Sequence, residues 1–314
     1  MSILRSESLG TSPIAPAGAV QAPAPTRKPG RIATGALILL APGLIALLLL
    51  LFLPLINIAT ESFRPYVPGK IGGARDAPFT LGNYAALLHP VYIGYLGTMI
   101  WCASVATLAG LVAAYPIAYV IARTKTHLIR ITLIGLLVGL LFLSAIVRVY
   151  SLELSFGTVG LGRTMAGLMG VTPNSRSYAE FLVIIGLTHH AIPLAALLMT
   201  GTIQNINPRL VEAGQALGAP LWRAHLSLTI PLSTPGLLSA FLVCYTINLS
   251  AFVVPMVLGR GKVHFLSNLV YDRYGELANF PSGSAIAMQL LFVTLVVAYG
   301  IGWLVQRWMP EGAR

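Results

Sequence analysis

Glu212-Ala213-Gly214-Gln215-Ala216-Leu217-Gly218, followed twelve residues later by Ile230-Pro231-Leu232, lies between two long apolar runs, residues 181–203 and 232–259. A short polar-edged stretch in that place reads as a surface docking element, because a core helix would carry no charge on its flanks. Asn207-Pro208 opens it: Asn caps free amides, and Pro at the first helical position loses no hydrogen bond. Gly218 suits the left-handed residue that ends a helix. The spacing predicts a helix of about ten residues with Leu210, Ala213, Gly214 and Leu217 along one side. Ala219-Pro220 then starts a second short helix, which carries Trp222 and His225 and is expected to end before Pro231. Glu212, one turn into the first helix, is placed to pair with a basic side chain across an interface or with Arg209.

The chain around this segment is 56% hydrophobic and 9% charged over 314 residues, which excludes an ordinary soluble domain. A hydrocarbon layer of about 30 Å needs about 20 apolar helical residues. Six runs free of Asp, Glu, Lys and Arg approach or exceed that length: 34–58, 93–122, 131–147, 181–203, 232–259 and 284–306. The fold class is therefore an all-α integral membrane protein with six core transmembrane helices and both termini on one side. Residues 1–30, with five prolines among Ala, Ser and Gly, are expected to form a disordered tail, 31–308 the membrane domain and 309–314 a short carboxyl-terminal tail. The first apolar run begins too late and runs too long for a secretory signal.

With a cytoplasmic amino terminus, the inner segments hold 11 of the 20 Lys and Arg residues. Arg27, Lys28 and Arg31 flank the first run, and Arg123, Lys125 and Arg130 crowd one short loop, which favours both termini inside. The formal charge of +11 fits contact with anionic membrane lipid, and no soluble face is large enough for nucleic acid. Cys102 and Cys244 fall inside apolar runs with no metal or disulfide spacing.

A carrier driven by an ion gradient usually places an ionisable group at membrane depth. Here the runs offer only His189 and His190, which point about 100° apart on a helix, so at most one faces a pathway. Hydrogen bonding across a helix interface beside Pro193 is the plainer role. Neither a zinc-type His-x-x-x-His, a Gly-x-Ser-x-Gly nor a phosphate-binding loop occurs, so intramembrane hydrolysis and ATP hydrolysis by this chain have no sequence support. A chain lacking its own coupling group borrows energy from a partner.

The order Glu-Ala, then Gly six residues after the Glu, then Ile-Pro-Leu, resembles the loop by which permease subunits of bacterial ATP-binding cassette importers engage their ATPase. Further stretches are similar to the spermidine/putrescine type: Arg148-Val149-Tyr150-Ser151, Ile230-Pro231-Leu232-Ser233 with Pro235-Gly236, Phe252-Val253-Val254-Pro255 with Leu258-Gly259, and Pro281-Ser282-Gly283-Ser284-Ala285. Gly214, Ala216, His225 and Leu152 depart from the family pattern. The resemblance covers about residues 35–306 and implies a type I importer permease fold in the bacterial inner membrane, with a cytoplasmic coupling helix between the fourth and fifth spans. It implies ATPase coupling through Arg209, Glu212, Ala213, Gly214, Leu217, Gly218 and Trp222. The implied partners are a second permease subunit, two ATP-binding cassette ATPase subunits and a periplasmic solute-binding protein. The chain itself is expected to be non-catalytic and to bind no cofactor or metal, with ATP and Mg on the ATPase.

For a cationic solute, carboxylates near the outer mouth lower the barrier to entry. Glu153, Asp272 and Glu276 are the candidates there, with Tyr150, Tyr245 and Asn248 as further residues of a substrate pathway. An ion-coupled secondary carrier is the alternative function, and a membrane enzyme a more distant one.

Overall fold

The computed structural model describes residues 30–74, 77–158 and 160–308, so the expected tails at 1–29 and 309–314 lie outside it. By internal contacts the chain forms two units, Met1–Pro54 and Leu55–Arg314. The described part of the first is the amino-terminal stretch of helix α1 (Gly30–Ser62), which is predominantly apolar and contains Pro42 and Pro54.

Every regular element among the second unit's described residues is a helix. In chain order it holds α2 (Gly82–Leu87), α3 (Pro90–Arg123), α4 (His127–Phe142), α5 (Ala145–Phe156), α6 (Gly162–Leu168) and α7 (Arg176–Asn205). Then follow α8 (Arg209–Ala216), α9 (Leu221–Ala224), a π-helical turn (His225–Thr229), α10 (Ile230–Leu249), α11 (Val253–Leu258), α12 (Leu266–Tyr271), a second π turn (Asp272–Glu276) and α13 (Phe280–Trp308). Five helices are long and apolar enough to cross a bilayer, and α4 with α5 makes a sixth span if the bent pair counts as one.

The centre is α7, packed against α3 on one side and α10 on another. Close approach comes from small residues: a Cβ on Gly110 would stand 2.9 Å from the Cβ of Ala191. Alanines 114, 118, 191, 195, 196 and 240 pack in the same layer with Ile121, Met199 and Ile203. In lipid, where burial of apolar surface between helices gains little, this close contact supplies the attraction. A second cluster, around Tyr178, Leu182, Tyr245, Phe265 and Leu266, joins α3, α5, α7, α10 and the loop before α12.

Three expectations need correction. The third run does not form one helix over 131–147: the chain breaks at Leu143-Ser144, and α5 leaves α4 at 95°. Arg148, whose charge suggests the end of a span, is only 4% exposed and sustains the break. Its Nη2 donates to the carbonyls of Leu140 and, at 2.9 Å, Leu143, groups that the ended helix leaves without partners.

The fifth span does not continue to 259. It stops at Leu249, because Pro255 has no amide hydrogen and its ring would strike the carbonyl of residue 251 in a continuous helix. Side chains brace the break: Ser267 Oγ donates at 2.6 Å to Ala251 O, the carbonyl that Pro255 leaves without a partner, and Asn268 Nδ2 donates at 3.1 Å to Phe252 O, which also accepts from the Met256 N–H.

The same span begins earlier than expected. The helix at 221–224 passes through Pro231 into α10 with no stop, so Trp222–Leu249 is one rod. A widened π turn at 225–229 makes room for the proline ring, which a regular α turn would not.

Candidate functional site

The segment 206–229 is a compact helix, turn and helix at one end of the bundle. Asn207 Oδ1 accepts from the backbone N–H of Arg209 at 3.0 Å and opens α8. At the other end Gly218 has φ +89°, the left-handed region that side chains disfavour. Its N–H donates to Gln215 O at 2.8 Å and the Ala219 N–H to Gly214 O at 3.1 Å, the paired bonds of a Schellman close. Gly214 faces the second helix, where an added Cβ would lie 3.2 Å from Leu228 Cδ1. Glycine at 214 thus lets α8 lie closer to its neighbour than a side chain would allow.

Two contacts fix this unit to the membrane helices. Arg123 Nη2, at the end of α3, donates to Ile206 O at 2.7 Å, and the Tyr119 ring meets the His225 ring edge-on at 4.6 Å. The basic loop after α3 and the segment 206–229 therefore share one end of the bundle. Of the residues expected to couple, Arg209, Glu212, Ala213 and Gly218 are exposed and Gly214 is half-buried. Leu217 is 90% and Trp222 64% exposed, an unusual amount of apolar surface for a short surface segment. Among the described residues Glu212 makes no ion pair with Arg209.

The expected pathway residues do not form one group. Tyr150 is exposed on α5. Glu153 is held by Arg260, with Nε to Oε1 at 2.9 Å and Nη2 to Oε2 at 3.0 Å, and Arg260 Nη1 also donates to Pro173 O. Its charge serves to tie α5 to the loops before α7 and after α11. Asp272 and Glu276 sit on the second π turn, away from that pair in sequence and in no ion pair among the described residues. Tyr245 and Asn248 are buried on α10 and both reach α3: Ser104 Oγ lies 3.4 Å from Tyr245 Oη, and Asn248 Nδ2 donates to Thr107 Oγ1 at 2.9 Å.

Where the broken ends of α4–α5 and α10–α11 approach α7, the structure leaves a cavity of about 210 Å³. Asn248, His190, Ala145, Ser250 and Val253 are among its lining residues. His190 Nδ1 lies 3.0 Å from Arg148 Nη1. Irregular backbone at membrane depth is tolerated where it lines such a space. Sequence reading missed this arrangement: the Arg-Val-Tyr-Ser stretch was visible, but nothing marked the helix break that turns Arg148 inward.

The family described as "Binding-protein-dependent transport system inner membrane component" matches residues 106–309, which include both the segment 206–229 and the cavity. The chain belongs to that family. It is a multi-pass inner-membrane permease of a binding-protein-dependent importer. It is 29% identical over 229 residues to the spermidine/putrescine transport system permease protein PotB of Escherichia coli, covering 72% of this permease and 81% of that one. It is 30% identical over 217 residues to PotB of Salmonella typhimurium, covering 68% and 75%. Its fold is similar to a chain in the crystal structure of a bacterial alginate ABC transporter in complex with alginate pentasaccharide-bound periplasmic protein. There the TM-score is 0.70 at 16% identity, over 89% of this permease and 96% of that chain.

Proposed function

We propose that this permease pairs with a second permease chain, identical or related, and that each half receives one ATP-binding cassette ATPase on residues 208–226. Both termini lie in the cytoplasm, on the side that holds the docking segment and the basic loop after α3. ATP and Mg are bound by the ATPases. A periplasmic solute-binding protein delivers a small solute to the opposite face, and by analogy with the relatives named for spermidine and putrescine that solute bears an amine.

The observation that carries this reading is the exposed apolar face of Leu217 and Trp222 on a segment continuous with a membrane-spanning rod. A neighbour that presses on α9 acts on α10 directly, because the helix runs from one into the other without a loop. The buried Arg148 is an ionisable group at membrane depth, the mark of an ion-coupled carrier, but its guanidinium is engaged with two carbonyls and an imidazole and so serves the helix break.

Glu212→Lys and Gly218→Trp test the docking role. Each is expected to abolish ATP-driven uptake and retention of the ATPase on purification, while the permease still inserts in the membrane. Normal uptake by either variant, or uptake that follows the proton gradient after ATP is exhausted, overturns it.

A further inference from the structure

The cavity between α5, α7 and α10 has two unlike ends. On the α7 side, an arginine guanidinium has only donors, so in the bond between Arg148 Nη1 and His190 the Nδ1 of the imidazole must accept. The ring proton then resides on Nε2, and the lining imidazole offers a donor to the cavity with a cation directly behind it. Among the described residues no carboxylate lines the cavity. The nearest acid along the same helix, Glu153, is cancelled by Arg260, so it leaves the positive charge of Arg148 uncompensated.

On the α10 side the polarity is reversed. α10 ends at its cap Ser250, whose hydroxyl donates to the carbonyls of Thr246 and Ile247, and the helix carries its partial negative charge at this end. Asn248 gives one of its two amide N–H groups to Thr107, and its oxygen is free to accept from a solute. At about 210 Å³ the space is smaller than the roughly 300–1,000 Å³ of a drug-sized site.

We infer that this cavity is a solute site inside the membrane, and that it takes a compact zwitterion, an amine that also carries an anionic head, in preference to a dication. The head sits at His190 and the ammonium at the carbonyl end of α10. The assignment rests on the importer reading above and narrows its solute. Arg148 lies in the Arg148-Val149-Tyr150-Ser151 stretch that is similar to the spermidine/putrescine type; a described cavity lining without a carboxylate is what disfavours a second positive charge.

Cysteines introduced one at a time as Ala145→Cys, at the His190 end, and Ser250→Cys, at the α10 end, test it in the full permease assembly in membrane vesicles. The two native cysteines are buried, and the parent chain sets the background. The probes are two methanethiosulfonate reagents of similar size, one ending in a sulfonate and one in a trimethylammonium. At residue 145 the anionic reagent is expected to react about tenfold faster than the cationic one, and at residue 250 the ratio should fall toward unity or reverse. Adding His190→Glu to Ala145→Cys should remove the anionic preference. A cationic preference at 145, equal ratios at the two positions, or no reaction at either one overturns the proposal. Trapping the assembly with ATP and vanadate separates the two readings. A charge preference that holds while nucleotide leaves both rates unchanged sinks the importer coupling and keeps the site, and nucleotide-sensitive rates with the wrong preference sink the site alone.

Discussion

Gly236 of α10 lies directly against the side chain of Thr202 of α7, so that a Cβ at 236 would overlap the threonine Oγ1, Cβ and Cγ2 together. The contact sets how closely α10 approaches the central helix. Gly236→Ala is expected to destabilise the permease by about 1–3 kcal/mol through overpacking. Thr202→Ala, which removes two of the three overlapping atoms, should recover part of the loss. Thermal unfolding in detergent, followed by intrinsic fluorescence for the two single variants and the double, checks the coupling.

Arg148→Met strips the carbonyls of Leu140 and Leu143 of their donors in a dry environment, at a cost of about 1–3 kcal/mol for each group left unpaired. The expected outcome is a lower unfolding temperature and a lower yield of folded protein. Arg148→Lys retains the charge but reaches fewer acceptors, and its unfolding temperature should fall between those of the methionine variant and the parent.

The Glu153–Arg260 pair is bidentate but partly exposed, with side-chain exposures of 24% and 15%. Solvent screening limits its worth to about 1 kcal/mol. Glu153→Gln and Arg260→Met should each lower stability by about that amount, and the double variant by little more than either, in unfolding measured at low and high salt.

At Gly218 the left-handed turn admits Asn far better than a β-branched residue. Gly218→Asn should therefore retain ATPase docking, whereas Gly218→Val should weaken it by roughly tenfold, since forcing L-type sterics there costs about 1–2 kcal/mol. A pull-down of the ATPase at graded concentrations gives the ratio.

The helix, turn and helix at 206–229 were legible because their signals are local: Asn207 and Gly218 act on the backbone beside them, and they do so in any surroundings. The spans were legible because the bilayer imposes a length on apolar composition. Arg148 was misread for the same reason. Hydropathy treats a charge as a boundary, while here the guanidinium satisfies carbonyls contributed by residues five and eight positions back, a relation that exists only once the helix has broken. Pro231 misled in the opposite direction, since a proline normally ends a helix but one widened turn accommodates it. Glu153 could be seen as an acid near a helix end, but not as the partner of Arg260, more than one hundred residues away in sequence.

The unbroken run from Trp222 to Leu249 has a mechanical consequence. Its 28 residues form a beam about 42 Å long, whose foot bears the exposed tryptophan and whose far tip borders the cavity beside Ser250. Rocking such a beam by about 5° at its base would sweep the tip through about 4 Å, close to the width of a methylene chain. Under the proposed coupling, a small displacement at the tryptophan-bearing foot would thus be magnified into an opening large enough to admit or release a solute.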